Sequence, residues 1–168
     1  LLFRLIRTAA LELPEGGAML SSTLEHPASM SAMKKWAKNT QRNHIIVEHN
    51  DNSGSVDEQA YIKKLTSDVR IVSVVHTSPV TGMTVDLEKI TKEVRNVTPD
   101  CIIIVDGIQH SSHGAIDVQK YDIDGYVVSP YKMFSRHGYG VAWASDRLCT
   151  LNKEQLADGP FQNWELGT

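Results

Sequence analysis

Five consecutive apolar residues, Cys101-Ile-Ile-Ile-Val105, run straight into Asp106. A strand alternates its side chains between two faces, so a run without a polar position has no face to give to water. It suits a strand covered on both sides, as in a parallel sheet flanked by helices. The rest of the chain supplies the covers. Residues 1–12 place Leu2, Leu5, Ile6 and Ala9 on one helical face and stop at Pro14-Glu-Gly-Gly17. Residues 18–24 read as a strand, and residues 27–39 as a helix with Met30, Met33 and Trp36 at helical spacing. Residues 44–48, 69–75, 123–128 and 140–144 read as further strands. Ser55-Val-Asp-Glu58 has the form of a capping box opening a helix to about residue 65. Residues 85–94 read as another helix, and residues 152–156 as a short polar one in the tail.

Repeated strand–helix–strand units imply an α/β fold, a mostly parallel sheet with helices on both faces. With 168 residues the chain is long enough for one domain with a real core. Such sheets bind ligands beyond the carboxyl ends of their strands. The candidate chemistry lies there: His26 after the first strand, His76 after the third, Asp106 and Gln109 after the fourth, Ser129 and Lys132 after the fifth. There is no Gly-x-Gly-x-x-Gly after a strand and no Walker A pattern, which argues against dinucleotide and nucleoside-triphosphate folds. A net charge of −3 without a basic stripe disfavours nucleic acid as a partner. No apolar run approaches the ~20 residues that span a bilayer. Cys101 and Cys149 have no metal-site spacing and form no disulfide framework, which suits a reducing, cytoplasmic compartment.

Lys132 and Asp106 each follow a strand, 132 − 106 = 26 residues apart. Each alone is more simply a surface lysine and a capping aspartate. Together they suit pyridoxal 5'-phosphate, which needs an amine for its aldehyde and an anion for its ring nitrogen.

The wider pattern is Asp106-Gly-Ile-Gln109-His-Ser-Ser-His113, Ile116-Asp-Val-Gln119, Asp124-Gly-Tyr-Val-Val-Ser129-Pro-Tyr-Lys132 and Gly138-Tyr-Gly140. It resembles the class V aminotransferases, and within them the cysteine desulfurase and selenocysteine lyase branch. The resemblance implies a fold-type I, pyridoxal-phosphate-dependent homodimer acting on an amino acid. It implies that Lys132 forms a Schiff base with the cofactor and then moves protons at the substrate's α-carbon. Asp106 would pair with the ring nitrogen, Gln109 with the phenolic oxygen, and Ser129 with the phosphate. His26, in Glu25-His-Pro-Ala28, would stack on one ring face and act in catalysis, while Ile108 covers the other. His76 would make a polar contact to cofactor or substrate. Gly167-Thr168 would reach the partner subunit's phosphate. By the same resemblance residues 1–168 form a cofactor-binding large domain cut at both ends, without the C-terminal small domain.

Two features depart from the family pattern. Pro130 and Tyr131 stand where a small residue and a histidine are usual, and Ser135-Arg136 stand where Gly-Pro is usual. A tyrosine hydroxyl could take over the lost phosphate contact. Desulfuration, transamination and β-elimination remain open. So do a non-enzymatic α/β module in which Lys132 is incidental and a relative that keeps the fold without the cofactor.

Overall fold

The computed structural model describes residues 1–151. The strands are β1 (Ala18–Ser22), β2 (Asn43–Val47), β3 (Val69–Val75), β4 (Ile102–Asp106), β5 (Gly125–Val128) and β6 (Val141–Ala144). The helices are α1 (Leu2–Glu12), α2 (Pro27–Asn39), α3 (Glu58–Lys64), α4 (Leu87–Val97) and α5 (Asp146–Leu151). The strands form one sheet in the order β2-β1-β3-β4-β5-β6. β1 to β5 are parallel to their neighbours, and β6 closes one edge antiparallel to β5.

Every residue of β4 is buried. Its side chains divide by period two: Ile102 and Ile104 join Leu5, Ile6, Met33 and Leu148 under α1, α2 and α5. Ile103 and Val105 join Tyr61, Ile90 and Val94 under α3 and α4. The unbroken apolar run is thus a strand with a helix layer on either side.

Two local expectations shift. The capping-box pattern pointed to Ser55, but the helix begins three residues later with Asp57 as its cap, accepting from Ala60 N–H at 2.7 Å. Ser55 is taken up instead by a bridge to Asn50, whose N–H donates to its carbonyl. The helix read over residues 85–94 starts behind Asp86, which accepts from Lys89 N–H, and runs to Val97. The short polar helix expected at 152–156 lies outside the described residues; α5, which precedes it, was not anticipated.

Arg42, 6% exposed, ties the turn before β2 to the end of α1. Its guanidinium donates to the carbonyls of Leu13 (3.0 Å), Pro14 (2.8 Å), Ala10 (3.4 Å) and Gly16. Two of these carbonyls, Ala10 and Leu13, belong to the frayed end of a helix, where no intrahelical donor remains.

Gly107, directly after β4, leaves no room for a side chain. A Cβ there would run into the ring of Tyr126 on β5, whose hydroxyl is fixed 2.8 Å from His76 Nδ1. We expect Gly107→Ala to cost at least ~2 kcal/mol, within the usual range for overpacking a tight site. Denaturant melts against the wild type would measure it, and an unchanged midpoint would show that the ring moves freely.

Candidate active site

The carboxyl ends of β1, β3, β4 and β5 open on one pocket of about 210 Å³. β4 delivers Asp106, Ile108 and Gln109 to it, and β5 delivers Ser129, Tyr131 and Lys132. The segment after β1 contributes His26, and the turn after β3 contributes Thr77 and Pro79.

Lys132 lies in a single 3₁₀ turn, Pro130–Met133, entered through Ser129 and left through Phe134 in the left-handed region at φ 61°. Pro130 pre-sets the backbone of that turn. The lysine is half-buried, and its Nζ donates to Gln109 Oε1 at 2.9 Å. Gln109 had been expected to donate to a ring oxygen; here its carbonyl holds the amine.

Asp106 is 3% exposed. Oδ1 accepts from Ile108 N–H at 3.1 Å and Oδ2 from the Ser29 hydroxyl of α2 at 3.2 Å. Two donors hold the carboxylate rigid while it still lines the pocket. His26 is exposed at the pocket edge and caps α2, accepting from Ala28 N–H through Nδ1 at 3.1 Å. One imidazole thus caps α2 and borders the pocket.

His76 stands apart from this set. It is buried at 4% exposure, bonded to Tyr126, and stacked on His110 with ring centroids 3.5 Å apart. Burial, then the His110 charge, pull its pKa down to about 4, so the ring is neutral near pH 7. Thr77, one residue on, is the pocket-lining member of that turn, and it bridges His110 Nδ1 at 2.9 Å. Thr168 lies outside the described residues.

Thr77, Pro79 and Ser29 were not anticipated from the sequence, and Tyr131 only in part. Thr77 and Pro79 carried no motif of their own. Tyr131 had entered only as a substitute for a missing histidine, and it lines the pocket with its ring stacked 4.6 Å from His137. Ser29 had a signal, a small polar residue on the core face of α2, but nothing in the chain says which strand end it meets.

The residues present fit pyridoxal phosphate. A primary amine, a rigid buried carboxylate, a hydroxyl at a strand end, an imidazole and an apolar side chain converge on one cavity. Among the described residues, no group of His, Cys, Asp and Glu could hold a metal ion and no helix is long and apolar enough to cross a membrane.

The chain is 28% identical over 124 residues to "Probable cysteine desulfurase" of Mycoplasma genitalium, covering 74% of this chain and 30% of that protein. It is 34% identical over 96 residues to "Cysteine desulfurase" of Wigglesworthia glossinidia brevipalpis, covering 57% of this chain and 23% of the other. The crystal structure of the cysteine desulfurase CsdA from Escherichia coli superposes with a TM-score of 0.79 at 25% identity, over 89% of this chain and 38% of that one. The chain thus spans well under half the length of each of these proteins. Its fold is that of the fold-type I pyridoxal-phosphate enzymes to which it is similar. The sequence model of the family Aminotransferase class-V matches residues 3–159, and the chain belongs to that family.

Proposed function

We propose that this chain is the cofactor-binding part of a pyridoxal-phosphate-dependent enzyme that acts on an amino acid in the manner of a cysteine desulfurase. What carries the proposal is the meeting of Lys132, Asp106, Gln109 and Ser129 in one pocket, from two neighbouring strand ends. The similarity to cysteine desulfurases supports the substrate class. When bound, pyridoxal phosphate supplies an aldehyde for amines and a ring that accepts electrons from the substrate's α-carbon.

The chain's own residues do the rest. Lys132 is the amine that attaches the cofactor, held on target by Gln109, and afterwards the base that takes and returns the α-proton. Asp106 presents a fixed negative charge to a cationic ring N–H, and Ser129 donates its hydroxyl to the phosphate. His26 and Ile108, both in the pocket lining, would flank the cofactor's ring. Thr168 completes the phosphate site of a partner subunit in a homodimer. Residues 1–168 act as the large domain; the sheet and the 38% span of the Escherichia coli enzyme support that assignment. The cytoplasm is the proposed compartment, on the strength of a buried Cys101 and a half-buried Cys149, both free thiols.

Borohydride treatment of the full-length protein with added pyridoxal phosphate should fix a pyridoxyl group on Lys132 in a peptide map. A label on the exposed Lys120 instead would sink the assignment. Product analysis separates the three chemistries left open. Alanine from cysteine, with sulfide appearing once an added thiol reductant is present, favours desulfuration; a keto acid that keeps the sulfur favours transamination; pyruvate with ammonia and sulfide favours β-elimination.

A further inference from the structure

Three carboxylates are buried among the described residues: Glu25, Asp106 and Asp124. Asp124 has its counterions, Arg95 at 2.7 Å and Arg147 at 3.3 Å. Glu25 and Asp106 have no ion-pair partner among the described residues. They are also neighbours. Glu25 Oε1 accepts from Val75 N–H at 2.9 Å and from the Ser22 hydroxyl at 3.3 Å, and Val75 is the register partner of Asp106 across β3 and β4. Glu25 Oε2 accepts from the Ser73 hydroxyl at 3.1 Å.

Two adjacent buried anions without a cation are costly, and the usual resolution is one shared proton. The surroundings say which group takes it. Asp106 faces the pocket and can meet a cation there; Glu25 lies outside the lining. At Glu25 the two oxygens differ. Val75 N–H can only donate, so Oε1 must accept. The Ser73 hydroxyl can rotate to accept, so Oε2 can hold the proton. The titratable groups coupled to Glu25 are Asp106 from β4 and Tyr61 from α3, whose phenol it helps to push up. Desolvation first, then the Asp106 charge, push Glu25 up to about 7.

We propose that Glu25 is a positioning residue that carries a proton on Oε2 while Asp106 stands without a cation, and gives it up to solvent when a cationic ring nitrogen pairs with Asp106. The proposal rests on the cofactor assignment above and deepens it. The Oε2–H bond breaks, its electrons stay on the carboxylate, and the second negative charge strengthens the hold of Asp106 on the ring N–H.

The test uses full-length protein with ¹³C-carboxyl glutamate, without cofactor, titrated by NMR. One resonance should show a midpoint near 7, should vanish in Glu25→Gln, and should move down in Asp106→Asn. A Glu25 resonance in the ordinary carboxylate range of ~4.3, or one unmoved by Asp106→Asn, overturns the proposal. Should Glu25→Gln not fold, Ser73→Ala keeps the carboxyl and removes a donor to its charged form, so the midpoint should rise. Calorimetry of pyridoxal-phosphate binding in two buffers of different ionisation enthalpy then reads the proton. Release in the wild type should exceed that in Glu25→Gln, and equal release overturns the coupling. If the cofactor does not bind at all, the cofactor assignment falls, and release on pairing falls with it. The NMR midpoint still decides whether Glu25 holds the proton.

Discussion

Replacing Lys132 by alanine should end covalent capture of pyridoxal phosphate and lower turnover of the full-length protein by at least ~10²–10⁴-fold, the usual weight of a positioned proton-transfer group. The fold should survive. Lys132 is half-buried and, among the described residues, its one hydrogen-bonding side-chain partner is Gln109, a contact worth about 0.5–1.5 kcal/mol in stability. Lys132→Arg sharpens the test. Arginine keeps the positive charge, but a guanidinium stays protonated and cannot serve as an amine nucleophile. It should be as inactive as alanine. Absorbance of the bound cofactor and a denaturant melt, taken side by side, separate loss of attachment from loss of structure. Retained activity in Lys132→Arg would show that the lysine acts only as a charge.

Asp106→Asn should have the second largest effect, and in a more selective way. The amide keeps the shape and one acceptor oxygen for Ile108 N–H or the Ser29 hydroxyl, but it removes the charge. Losing one charge-assisted hydrogen bond costs about 1.5–3 kcal/mol, or roughly a 10- to 150-fold fall in kcat/KM. Stability should fall by less than activity, because one of the two donors keeps its acceptor and no ion pair among the described residues is lost. Activity and stability falling in step would mark Asp106 as structural. A fall chiefly in activity supports its pairing with the cofactor.

Much of this was legible in the chain. The apolar run of β4 that ends in Asp106, the one-sided α1 and the exact limits of α2 follow from patterns that read the same in any context. The convergence of residues after β1, β4 and β5 follows from the rule that parallel sheets gather their loops at one edge. What escaped depends on side-chain direction. His76 was rightly placed at a strand end, yet its side chain turns toward Tyr126 and His110, and the next residue faces the pocket. Glu25 is next to His26 in sequence, but one is buried and the other exposed. Adjacent residues carry no mark of which will be sealed. The Ser55 cap was lost to a competing local pairing with Asn50, which no capping pattern records.

Arg42 has a consequence for how the structure comes apart. Its guanidinium joins the last turn of α1, the Pro14 to Gly16 bend and the turn into β2 through four carbonyls. None of these segments can open without stranding a buried cation. In hydrogen exchange they should therefore behave as one cooperative unit, with amides at 9–13 and 40–43 exchanging together. Arg42→Lys, with three donors on a single atom, cannot span the same four acceptors. It should release the end of α1 first and leave the central strands protected.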